Sequence, residues 1–158
     1  MHVGMRQALS TAVAITLAVA LGSTALAQSV GTWKLNVAKS TYPQGQALKS
    51  STLVYEAAGA GIKVTVDQVP ATGPAVHYTF TANYDGKDVP LVGSPFGDTA
   101  ARTRVNPTTT KTVNKKGGQI LSTFTIVTSA DGKTLTVTTA GANAAGQNID
   151  SVAVYEKQ

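Results

Sequence analysis

Arg102 and Arg104 stand two residues apart, and they are the only arginines after Arg6. On a strand, positions two apart share a face. Two guanidinium groups on one face of a barrel interior could bind a carboxylate or phosphate through paired N–H donors. The same spacing also fits a solvated outer face. Hydrophobicity favours that second orientation, with Ala101 and Val105 turned toward the core. The aromatic residues Tyr55, Tyr78, Phe80, Tyr84 and Phe124 are candidates to line a cavity or to fill it. His77 is the only histidine besides His2, and there is no cysteine. A zinc site normally converges three or four nitrogen, sulfur or carboxylate ligands. One histidine among threonines points instead to a surface residue. The absence of cysteine excludes disulfides, thiolate metal sites and a cysteine nucleophile. No Ser-His-acid arrangement is apparent, and Asp85 and Asp131 read as turn residues, so no catalytic group is assigned. No cofactor is implied.

These side chains need strands to position them. Ile62, Val64 and Val66 alternate with polar residues. So do Val76, Tyr78, Phe80, Ala82 and Tyr84, which leaves His77, Thr79, Thr81 and Asn83 on the other face. Period-two alternation with one polar face marks antiparallel strands wetted on one side. Gly59-Ala60-Gly61, Asp85-Gly86, Asn106-Pro107, Lys116-Gly117-Gly118 and Asp131-Gly132 punctuate the strands, with Asp-Gly pairs expected at tight hairpins. About ten short strands at this spacing predict an all-β sandwich or barrel. The stretch from Val37 to Ser50 contains Pro43 and Gly45 and is expected to be a loop with at most one helical turn.

The chain has 158 residues, 13% of them charged and 42% hydrophobic, and carries a formal charge of +5. This composition excludes a disordered chain and a coiled coil. Residues 1–27 read as a signal peptide. Arg6 precedes an apolar run from Ala12 to Leu21, and Ala25-Leu26-Ala27 supplies a small-residue cleavage signature. The run is too short for a comfortable membrane span of about 20 residues. Export to the periplasm or the medium is therefore expected, with no integral membrane span after cleavage. Residues 28–158 would form one domain, large enough to hold a core without cross-links. Lys111, Lys115 and Lys116 form the densest basic cluster. A nucleic-acid site would need more charge and exposed aromatics between the basic residues, so no nucleic-acid partner is expected.

The segment Gly31-Thr32-Trp33-Lys34-Leu35 and the closing Val154-Tyr155-Glu156-Lys157 resemble the two ends of calycin barrels, the superfamily of lipocalins and fatty-acid-binding proteins. The whole chain is also similar to small secreted bacterial lipocalin-like proteins, with Asp85-Gly86-Lys87 and Lys116-Gly117-Gly118 at matching places. The resemblance implies a single antiparallel up-and-down barrel of about ten strands. It also implies that Trp33 plugs one end and that Tyr155 faces the interior. Fatty-acid-binding proteins carry Arg-x-Tyr on the last strand and a helical lid after the first. Here the triplet is Ala153-Val154-Tyr155, and Asn36–Ser50 is too short for two helices. The resemblance thus carries the fold and not fatty-acid binding itself.

The resulting expectation is an exported protein that holds a small apolar or amphipathic ligand in its barrel. Tyr55, Tyr78, Phe80, Arg102, Arg104, Phe124 and Tyr155 are its candidate contacts. The alternative is a filled barrel acting through its outer surface, as an envelope interaction protein or an inhibitor of a secreted enzyme. A third reading is an enzyme or haem protein that uses His77.

Overall fold

A computed structural model of the protein describes residues 29–143 and 145–158. The leader-like stretch 1–27 lies outside the described residues. Ten strands follow one another: β1 (Gly31–Leu35), β2 (Leu48–Ala58), β3 (Gly61–Pro70), β4 (Val76–Ala82), β5 (Asp85–Pro90), β6 (Thr99–Asn106), β7 (Thr109–Lys116), β8 (Gln119–Thr128), β9 (Thr134–Gly141) and β10 (Ser151–Lys157). All pairings are antiparallel, and the order across the sheet is β4-β3-β2-β1-β10-β9-β8-β7-β6-β5. Nine of the ten strands thus neighbour their successor in the chain or close the first strand on the last. Among the described residues no helix is long and apolar enough to cross a membrane.

The alternation sets the register. Ile62, Val64 and Val66 of β3 are buried, and so are Tyr78, Phe80 and Ala82 of β4. Val64 pairs with Phe80 and Val66 with Tyr78, so the apolar faces of the two strands coincide. The first strand joins the last, with Trp33 opposite Lys157 and Leu35 opposite Tyr155. Between β1 and β2 the chain makes one 3-10 turn, Val37–Lys39. Asn36 caps it, and both Asn36 Nδ2 and Lys39 Nζ donate to Glu156 Oε1, at 2.9 and 3.0 Å. The loop is thereby tied to β10, and these two donors hold the Glu156 carboxyl below its ordinary pKa.

The barrel is nearly closed, and the seam falls at an unexpected place. Asp85-Gly86 predicts a tight hairpin between β4 and β5, but those strands are the two outer strands of the sheet and do not pair. Gly86 instead takes a positive φ of 75° inside β5, where the register with β6 shifts between Asp85 and Asp88. The Asp-Gly chemistry here serves an irregularity within β5 rather than a hairpin turn. The loop after β5 covers the seam. Thr79 N donates to Val92 O at 3.0 Å, and Val92 N donates back to Thr79 O at 2.9 Å. Gly93 makes this approach possible, since a Cβ there would stand 2.8 Å from the His77 carbonyl oxygen. Phe96, from the same loop, packs edge-on against Tyr78, with ring centroids 6.2 Å apart.

Candidate functional site

The inward face of β6 consists of Ala100, Arg102 and Arg104. Arg102 is 1% exposed, whereas Val105 is 60% exposed. The hydrophobicity-based orientation of this strand is therefore reversed: Val105 points to solvent and the arginines point inward. Hydrophobicity misled here because alanines occupy both faces of this strand, Ala100 and Ala101 both being buried, which left Val105 to decide the orientation.

Arg102 is held from three sides. Its Nη1 donates to Thr112 Oγ1 at 3.1 Å and its Nη2 to Thr110 Oγ1 at 3.0 Å. Thr112 is its direct partner on β7, so the strand register delivers this contact. Across the lumen, its guanidinium carbon lies 5.3 Å from the Tyr55 ring centroid and 5.7 Å from that of Tyr84. Both rings offer a negative face to the cation. No ion pair among the described residues involves Arg102. Its buried Nε has no hydrogen-bond partner. A buried charge without a counter-charge is destabilising by several kcal/mol, and neutral hydroxyls and aromatic faces offset only part of that.

Arg102 lines a cavity of about 70 Å³ inside the barrel. The cavity has two kinds of wall. Leu53, Val64, Val66 and Phe80 supply an apolar side from β2, β3 and β4, and Arg102, Thr112 and Asn114 supply a polar side from β6 and β7. Tyr55, Tyr78, Phe124 and Tyr155 also line it, so all five expected aromatic contacts meet at one place together with Arg102. Arg104 does not reach the cavity. It is half-buried, with its guanidinium carbon 4.3 Å from the Tyr84 ring centroid.

Tyr155 OH donates to Ser51 Oγ at 3.1 Å, and both groups are buried. Burial pushes the phenols of Tyr78 and Tyr155 well above the ordinary tyrosine pKa, because a phenolate would lose its hydration there. Both remain neutral hydrogen-bonding groups at physiological pH. Tyr84 lies outside the cavity lining, and its buried hydroxyl has no partner.

Trp33 is fully buried and does not line the cavity. Its Nε1 donates to Ser29 O at 2.9 Å, and Lys157 Nζ stands 5.2 Å from the centre of its ring. The indole thus lies beneath both the start and the end of the described chain. His77 is on the outer wall, where Nδ1 meets Asp67 Oδ1 at 2.7 Å in an exposed pair. Among the described residues no group of three or more His, Asp or Glu side chains gathers into a metal-binding cluster. Lys115 is also outward, and its Nζ bridges both Asp88 carboxylate oxygens at 2.7 and 3.0 Å.

Sequence reasoning missed the polar wall. Thr112 and Asn114 alternate with Lys111 and Lys115, so placing the lysines outside places these two residues inside. That signal was present in the pattern. No known protein family matches the chain, and no curated protein matches it.

Proposed function

We propose that the protein is an exported calycin-type barrel that holds a small amphipathic molecule in its lumen. One observation carries this reading. The cavity places an unpaired guanidinium and two polar side chains against an apolar wall, and that arrangement suits a ligand with one polar end and one apolar end. The leader-like residues 1–27 support export. The ends of the chain, with Trp33 buried beside Ser29 and Lys157, support the calycin assignment.

The second reading, a barrel filled by its own side chains and acting from outside, draws on the cavity's small volume. It also draws on Val37, Val69, Val92, Phe96, Ile120 and Val152. All six are exposed and belong to the barrel end where odd-numbered strands finish and even-numbered ones begin. Native mass spectrometry of the protein, purified from its own source without delipidation, separates the two. A bound small mass that leaves on denaturation is the expected result. A bare polypeptide, still bare after incubation with a panel of small amphiphiles, refutes the lumen reading and favours the surface one.

A further inference from the structure

We infer that a groove on the outer wall of the barrel, centred on Asp67 and His77, binds one sugar residue of an uncharged glycan. The groove is separate from the lumen, so this inference stands whether or not the barrel carries a molecule inside.

Strand register builds the groove. Thr52 of β2 stands opposite Asp67 of β3, and Asp67 stands opposite His77 of β4. Their neighbours Ser51, Leu53, Val66 and Tyr78 are buried, so these three polar side chains form one row on the outer face. Neighbouring strands lie about 4.8 Å apart, close to the separation of alternate hydroxyls around a pyranose ring. Ser50, next along the outer face of β2, and Gln68 complete the polar lining. Little of this polarity is used within the protein. His77 Nδ1 meets Asp67 Oδ1 at 2.7 Å, which orients both groups and leaves His77 Nε2 and Asp67 Oδ2 without a partner among the described residues. The side chains of Ser50, Thr52 and Gln68 make no hydrogen bond to any described residue.

The chemistry of the lining selects the ligand. Hydroxyls, a carboxylate, an imidazole and an amide offer both donors and acceptors, which matches a molecule covered in hydroxyl groups. Val69 and Val76 border the same groove and give an apolar contact to the C–H face of a sugar ring. Asp67 carries the fixed charge of the lining and no Lys or Arg joins it, so an anionic ligand would be repelled. An ammonium would gain under about 1 kcal/mol from a single exposed carboxylate and would leave the hydroxyls unused. The groove measures about 230 Å³, against about 70 Å³ for the lumen cavity. An apolar cavity of about 150 Å³ holds benzene, roughly 25 Å³ for each heavy atom, so the groove takes about nine. A pyranose ring and part of its hydroxyl set match that count. The remainder faces solvent through the open side, where a chain of sugars can continue.

The test is titration of the folded protein with the methyl glycosides of glucose, galactose, mannose and N-acetylglucosamine, followed by amide NMR. Cyclohexanol, methylammonium chloride and zinc chloride serve as contrasts: an apolar ring, a cation and a metal. At least one glycoside is expected to shift the signals of Thr52, Asp67 and His77 saturably, with those of Arg102 and Thr112 unmoved. Asp67→Asn and Thr52→Val, both on the outer face, are expected to weaken that binding by about twofold to tenfold, the range for loss of one hydrogen bond. Their remaining amide signals should stay in place, which shows that the barrel is folded. No glycoside moving the groove signals, or unchanged binding in both variants, overturns the inference. Cyclohexanol binding as tightly as the glycosides, or methylammonium or zinc moving groove signals that the glycosides do not, assigns the groove to another class and overturns it as well. Glycosides that move only Arg102 and Thr112 overturn the groove site and support the lumen reading, which an empty groove leaves intact.

Discussion

Replacing Trp33 tests how the barrel end is held. The indole is 0% exposed and makes one hydrogen bond, to Ser29 O at 2.9 Å. Truncating a buried tryptophan to alanine removes the ring's transfer free energy and leaves a cavity, a loss of about 3–5 kcal/mol. In a domain of this size each kcal/mol lowers Tm by about 3–5 °C. Trp33→Ala should therefore melt about 9–25 °C below the parent. Trp33→Phe keeps an aromatic ring but loses the N–H donor and part of the ring volume, so it should lose only about 1–2 kcal/mol. Urea unfolding followed by far-ultraviolet circular dichroism gives both values. Ligand affinity should stay the same in the phenylalanine variant, because Trp33 does not line the cavity. Since Trp33 is also the sole tryptophan, the parent's emission should resist an added quencher. A loss below about 1 kcal/mol in Trp33→Ala would refute the plug, because such a value belongs to a surface substitution.

Three further predictions follow from the interior and the seam. Tyr78 and Tyr155 have raised pKa values in the folded state, so above the free phenol value of about 10 the unfolded chain releases protons that the barrel retains. Their contribution is fully present below that pH and is lost as pH rises; absorbance titration should show their phenolates appearing only with unfolding. Tyr155→Phe removes the buried bond to Ser51 Oγ and should destabilise by about 1 kcal/mol, and a cycle with Ser51→Ala should recover most of that as coupling. Gly93→Ala would force the seam loop off the His77 carbonyl. The amide of Thr79 should then exchange with deuterium faster, while amides of β8 and β9 stay protected.

The strands were legible wherever one face was apolar. β3 and β4 follow the sequence alternation residue by residue, because Ile62, Val64, Val66, Tyr78 and Phe80 leave no choice of face. β6 was not legible by the same rule. Its inward side carries two arginines, and a polar lumen breaks the link between hydrophobicity and burial. Asp85-Gly86 was read as a hairpin because local turn chemistry is shared by hairpins and bulges; only the sheet order distinguishes them. Tyr55, Tyr78, Phe80 and Phe124 are named from the sequence as possible cavity residues and Tyr155 from the resemblance; Tyr84, named with them, stands outside the lining. The volume left between them was not legible, since a cavity depends on rotamers and strand tilt rather than on residue type.

The pairing of β1 with β10 has a consequence for how the chain reaches this state. In the sheet order, that contact is the one ladder joining the β1–β4 meander to the β5–β10 meander. A chain emerging from its N-terminus can build hairpins early. The Thr79–Val92 bridge can also form early, but the continuous sheet cannot be completed until Ser151–Lys157 is free to move, since Trp33 must find Lys157 and Leu35 must find Tyr155. Such closure over more than a hundred residues makes folding slow compared with hairpin formation. Until then the guanidinium of Arg102 lacks the Tyr55 ring, which belongs to the other meander, and can stay hydrated. Desolvation of the charge is thus deferred until the two meanders meet.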